Sequence, residues 1–209
     1  MSRYFSKNAF PIIIEILFIL VAALLPGPWF TYINFLFYAL LFGYFKVRGE
    51  FSLEDWQNAG QDGEQFWIPV LVTTLASALC FLLTGILFPS VESGLYEMAV
   101  DSWPKIILFG ISALFLAPVA EEMFFRKSLI LGRSRLSLAL TVIFSLFLFA
   151  LEHGIHAQGI LTGVIWGIPL TFSYLYTRNI YVPMTAHLIA NFFCNGLDLI
   201  SLLSFQMMK

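Results

Sequence analysis

Long apolar runs separated by short polar breaks set the pattern of this chain. The runs cover about 9–26, 29–45, 67–88, 104–125, 136–153, 157–177 and 180–206, and each comes close to or exceeds the ~20 apolar residues that a helix needs to cross a bilayer. The breaks are Pro26-Gly27-Pro28, the polar stretch Lys46 to Gln65, the acidic stretch Pro89 to Asp101 and the basic stretch Arg126 to Arg135. Proline, glycine and charge clusters of this kind end helices. The pattern predicts an all-α polytopic membrane bundle of about seven transmembrane helices, with residues 1–209 forming one membrane domain. The Lys46–Gln65 stretch carries five acids and Trp56 and runs into Phe66 and Trp67. It reads as an interfacial loop or a short helix lying on the membrane surface. The first run follows Arg3 and Lys7 as in a signal peptide, but it is long and lacks a small-x-small cleavage site before Pro26, so it reads as a retained span.

Composition narrows the picture. The 209 residues are 59% hydrophobic, with mean hydropathy +0.85 and 11% charged, more apolar surface than one soluble core of this size can hide. A net charge of −2, with basic residues single or paired, excludes a nucleic-acid partner. Arg3 and Lys7, Lys46 and Arg48, the Arg126, Lys127, Arg133 and Arg135 group, and Arg178 fall on one side, against Lys105 and Lys209 on the other. The positive-inside rule then places the N-terminus in the cytoplasm of a multi-pass protein, with Glu92, Glu97 and Asp101 outside. Cys80 and Cys194 sit in apolar runs and read as inert core thiols.

Ionisable and amide side chains are concentrated between Val119 and Asp198. A charge at the centre of a bilayer helix costs ~2.5 to 3.5 kcal/mol on insertion scales, so such residues face an interior and usually have a task. Three clusters qualify. In Glu121-Glu122-Met123-Phe124-Phe125-Arg126, Glu122 and Arg126 share a helix face and can pair, while Glu121 points about 100 degrees away and is free to act as acid or base. The plainer reading is a helix-end ion network of all three. Phe149, Glu152 and His153 end the fifth run, with His156 three residues on; alone, such a histidine is most often a C-terminal cap. His187, Asn191 and Asn195 line one face of the last run, and alone they read equally as interhelical hydrogen-bonding groups.

Taken together the clusters resemble the CAAX-protease and bacteriocin-processing (CPBP) family of intramembrane glutamic endopeptidases. Its pattern is a glutamate pair with a following arginine, matched by Glu121, Glu122 and Arg126; then Phe-x-x-x-His, matched by Phe149 and His153; then His-x-x-x-Asn, matched by His187 and Asn191. Three short elements in order on consecutive hydrophobic helices are specific where each alone is weak. The resemblance covers about residues 105–200. It implies peptide hydrolysis with neither metal nor cofactor. Glu121 would be the base, His153 would help hold the water, and His187 with Asn191 would stabilise the oxyanion; Glu122 and Arg126, with Phe149, would position the site or bind substrate. The implied partner is a peptide or protein substrate, prenylated in eukaryotic members. This short chain is prokaryotic in style, which points to a bacterial cell membrane and another substrate, such as a secreted or signalling peptide.

A hairpin of the fourth and fifth spans turning near Ser137 would set Glu121 and His153 at equal height, each 16 residues from the turn. An intact sixth span would then carry His187 toward the opposite face. Convergence therefore predicts tilting, a break near Gly154–Gly159, or bending near Gly163, Gly167 and Pro169. Rival readings are a zinc peptidase using Glu121, His153 and His187, a proton-coupled carrier, and a non-catalytic immunity or scaffold protein on the same fold.

Overall fold

The computed structural model describes residues 2–24, 27–88, 95–96, 98–132 and 134–208. Leu25-Pro26 of the first break, Glu92, Glu97, Arg133 and Lys209 lie outside the described residues. The helices in chain order are α1 (Ser2–Leu24), α2 (Phe30–Val47), α3 (Leu53–Gly60), α4 (Glu64–Leu87), α5 (Trp103–Ser128), α6 (Arg135–His153), α7 (Ala157–Thr177) and α8 (Tyr181–Met207). Six of them, all but α1 and α3, are long and apolar enough to cross a membrane, and Asn8–Leu24 of α1 is a shorter apolar helix. The fold is an all-helical membrane bundle of about seven spanning helices.

The short α3 is the amphipathic surface segment. Ser52 caps it by accepting from the Asp55 amide at 3.2 Å, and Glu54 and Asp55 occupy its first turn, where carboxylates favour the positive end of the helix dipole. Trp56 then donates to Thr185 Oγ1 at 2.8 Å and stacks on Tyr181, which ties α3 to the start of α8. The Lys127 ammonium reaches the Glu50 carbonyl, joining the end of α5 to the same end of the bundle.

The centre of the bundle is α5. Two-thirds of its apolar window is buried, against 22% for α4 and 28% for α6, whose outward faces carry leucine and isoleucine as lipid-facing helices do. It is not uniformly α-helical: Ser112–Leu116 and Glu122–Ser128 are wound as π-helix, with Ala117–Glu121 as α-helix between them. Pro118 lacks an amide hydrogen, so the carbonyl it would have bonded must find another donor. A neighbouring helix supplies a donor at each π segment. The Asn191 amide donates to Ala113 O at 3.0 Å, and Ser145 Oγ donates to Phe125 O at 2.6 Å.

The connection from α5 to α6 runs over 129–134 rather than near Ser137, because the wound end of α5 stops at Ser128 and Ser134 caps α6 through the Ser137 amide. Glu121 therefore lies seven residues from its end of the hairpin and His153 eighteen from its own. They are not at equal chain height. Beyond His153 the chain is non-helical only over Gly154–His156, and α7 then continues through Pro169 without interruption. Two glycines let α7 press against α6. A Cβ on Gly163 would stand 2.7 Å from Ala150 Cα, and one on Gly167 would stand 2.8 Å from Leu146 Cδ2 and 3.0 Å from Phe149 Cδ1. Small residues allow this approach in membranes, where packing must supply what the hydrophobic effect does not.

Gly163→Ala is expected to force the two helices apart and to cost about 1 to 3 kcal/mol, the usual scale of overpacking, read as a lower melting temperature in detergent. Gly43→Ala is the matched control. Its Cβ would meet nothing within 4 Å, and the melting temperature should not fall.

Candidate active site

Glu121 and Glu122 stand at the junction where α5 passes from α to π winding. Both are interior, at 3% and 0% exposure. Glu122 Oε1 is 3.1 Å from Arg126 Nη1, an ion contact four residues along the helix, and 2.9 Å from His187 Nδ1. The Arg126 contact has ion-pair distance without hydrogen-bond geometry. Arg126 is itself fully buried. Its Nη2 donates to the Gly167 carbonyl at 3.3 Å, and its guanidinium lies 4.5 Å over the Phe149 ring, a cation–π contact that is strongest where water is absent. This explains Gly167: a side chain there would stand 3.4 Å from Arg126 Nη2.

Glu121 faces differently. Its Oε1 accepts from the Tyr38 hydroxyl at 2.8 Å, whereas Oε2 is buried with no hydrogen-bond partner and lies 3.8 Å from His187 Nε2. The two glutamates thus straddle one imidazole, each toward a different ring nitrogen. A helical offset of about 100 degrees between neighbouring residues makes this possible, because the nitrogens lie on opposite sides of the ring. His187 is 7% exposed on the first turns of α8.

His153 is brought near through Phe149. The Phe149 ring is 4.5 Å from the His153 ring and 6.5 Å from the His187 ring. His153 Nδ1 is 2.8 Å from the Phe149 carbonyl; a carbonyl can only accept, so Nδ1 carries the proton and Nε2 is left as an acceptor. The ring edge also meets Trp166 of α7. Asn191 is half-buried one turn beyond His187 and spends one amide hydrogen on Ala113 O, leaving a second N–H for other use. His156 is exposed at the start of α7, and Asn195 is half-buried a further turn along α8. Among the described residues no three histidine, cysteine, aspartate or glutamate side chains are grouped so as to hold a metal ion.

Three further polar groups belong to this interior. Glu15 of α1 is fully buried and Glu152 of α6 is 4% exposed, and neither carboxyl has a hydrogen-bond partner. Both are electrostatic neighbours of Glu121. The third is Tyr38 of α2, 6% exposed. Glu15 carried a sequence signal, being a lone acid between Ile14 and Ile16. Tyr38 carried none that sets it apart from the chain's eight tyrosines and 23 phenylalanines.

A bundle that buries adjacent glutamates, a paired arginine and two histidines inside its spans has the polar interior of a membrane-embedded enzyme or carrier, since groups so costly to bury are kept for chemistry or transport. Residues 103–193 match the family model for type II CAAX prenyl endopeptidase Rce1-like proteins. That stretch holds all seven motif residues, so the part of the chain that carries the motifs is similar to the family their spacing resembles. No curated protein and no solved structure matches the chain.

Arg126→Met should leave Glu122 as a buried charge with only His187 beside it and cost about 3 to 5 kcal/mol, the scale for breaking a buried pair. Arg126→Met combined with Glu122→Gln should recover much of that loss. Thermal unfolding of the single and double variants in one detergent measures both.

Proposed function

We propose that this protein is an intramembrane peptidase that hydrolyses a peptide bond near the membrane surface, with Glu121 activating water and without a metal. The observation that carries the reading is the pair Glu121 Oε2 and His187 Nε2, 3.8 Å apart, with Oε2 buried and unpartnered. A water bound to Oε2 at an ordinary hydrogen-bond distance of about 2.8 Å would stand beside the His187 ring, next to the group that meets the carbonyl oxygen. A base must reach its proton directly or through one water, and this carboxylate oxygen is directed to such a point.

The remaining roles follow from placement. As water attacks the carbonyl carbon, Glu121 takes its proton and negative charge develops on the carbonyl oxygen. Preorganised donors at that oxygen lower the barrier most. His187 and the second N–H of Asn191 serve there, one helical turn apart on α8. The proton held by Glu121 then passes to the leaving amine, so the carboxylate is regenerated. His153, with Nε2 as acceptor, helps orient the water. Glu122 and Arg126 hold His187 from behind, and Arg126 is also suited to a substrate carboxylate once its contacts open. Phe149 keeps both imidazoles and the guanidinium in register.

The substrate class is a peptide or protein reached from the membrane, lipidated or not. We place the N-terminus and the basic ends of α2, α5 and α7 in the cytoplasm on the positive-inside rule. A proton-coupled carrier would use the same carboxylates without cleaving anything, and a scaffold protein would need none of them.

Glu121→Gln keeps volume and hydrogen bonding but cannot accept a proton, so purified variant protein should lose cleavage of prenylated and unprenylated test peptides while its melting temperature and peptide binding hold. Asn191→Ala should lower turnover by roughly 10²- to 10³-fold, the scale for one oxyanion donor, with little change in affinity. A chelator should leave the wild-type rate unaltered. Wild-type cleavage by the glutamine variant would remove Glu121 as the base and favour the carrier or scaffold.

A further inference from the structure

The family match begins at residue 103, well after α2, yet among the described residues the side-chain hydrogen bond to the Glu121 carboxyl comes from α2. Asn34 and Tyr38 are four residues apart and share the face of α2 that meets α5. Ser112 Oγ donates to Asn34 Oδ1 at 2.9 Å where α5 enters its first π segment, and Tyr38 donates to Glu121 at 2.8 Å where it enters the second. The tyrosine ring is itself fixed. Phe37 lies 4.9 Å from it and Phe18 of α1 lies 6.3 Å away, both buried. The hydroxyl is thus carried on a buried, packed ring.

A glutamate carboxyl rotates about its last bond with little preference, and its two oxygens are equivalent, so what needs fixing is the plane that turns one of them toward His187. The charged and titratable groups around Glu121 do not all favour one orientation. Arg126, His187, Glu15 of α1 and Glu152 of α6 are its charged or titratable neighbours, and among the described residues none of them hydrogen bonds to either oxygen. Glu152 also shares the surroundings of the Tyr38 hydroxyl, although neither of its oxygens is hydrogen bonded. Among the described residues the hydrogen bond that sets this plane is the 2.8 Å one from Tyr38 to Oε1, which leaves Oε2 3.8 Å from His187 Nε2.

We infer that Tyr38 is a positioning residue for hydrolysis: its hydroxyl holds Glu121 Oε1 so that Oε2 stays directed at the water and His187. The inference rests on the reading of Glu121 as the base. It assigns the N-terminal helices a part in the chemistry as well as in packing. Misplacement of a reacting group by about 1 Å can cost on the order of 10²-fold in rate, and loss of the hydroxyl leaves the carboxyl free to rotate by more than that.

The test compares Tyr38→Phe, Glu121→Gln and wild-type protein, purified in the same detergent, on one cleavable test peptide. Tyr38→Phe removes one oxygen and keeps the ring. It should lower kcat by about 10- to 100-fold with KM within twofold and an unchanged melting temperature, whereas a merely structural role would lower the melting temperature and disturb KM with kcat. Wild-type kcat in Tyr38→Phe with an inactive Glu121→Gln overturns the positioning role and leaves the base standing. Full activity in Glu121→Gln removes the base and the inference with it. Should Tyr38→Phe fail to fold, incorporation of 3-fluorotyrosine at position 38 keeps ring and hydroxyl and alters only the donor's acidity. A severalfold change in kcat at constant KM then supports the role, and an unchanged kcat overturns it.

Discussion

The buried guanidinium of Arg126 is the constraint around which the rest is arranged. A fully buried arginine in a membrane span is tolerable only with its charge opposed, and the bundle opposes or covers it from three helices. Glu122 opposes the charge from the preceding turn of α5, the Gly167 carbonyl of α7 accepts a hydrogen bond, and the Phe149 face of α6 covers the plane. Those contacts explain why α7 carries glycine where it crosses α6, and why Phe149 stands between the two imidazoles.

From that centre the two glutamates acquire different surroundings although they are adjacent in sequence. Glu122 is committed to Arg126 and to His187 Nδ1. Glu121 has a neutral donor on one oxygen and no partner on the other. A carboxylate bound on all sides is a poor base because its lone pairs are spent, and one with no fixed partner is poorly aimed. Glu121 falls between these limits. The π winding contributes here, since it begins at Glu122 and changes how the end of α5 meets its neighbours.

Interior carboxyls beyond the motif give the N-terminal helices more than a packing role. Among the described residues the Glu15 and Glu152 carboxyls have no hydrogen-bond partner, and an acid placed in a span at such cost is seldom idle. The elements ahead of the matched stretch therefore supply the side-chain hydrogen bond to Glu121 seen among the described residues, from Tyr38, and a neighbouring carboxyl, Glu15.

By itself the sequence determined what depends on local periodicity and on the cost of charge in lipid. Apolar runs of spanning length imply the helices, four-residue spacing implies the Glu122–Arg126 contact, and polar residues between Val119 and Asp198 mark the candidate site. Only the tertiary structure decided where helices meet. The end of the α5–α6 hairpin moved from Ser137 to 129–134, because π winding and the Ser134 cap depend on proline and capping geometry that hydropathy does not register. His153 reaches the cluster through Phe149 and the glycine-mediated contact of α6 with α7, since height along a helix predicts proximity only when helices are parallel. Glu15, a lone acid in an apolar run, was legible and passed over. Tyr38 was not legible at all: nothing local distinguishes a tyrosine that packs from one whose hydroxyl meets a carboxylate 83 residues away, because that depends on the relative tilt and depth of two helices.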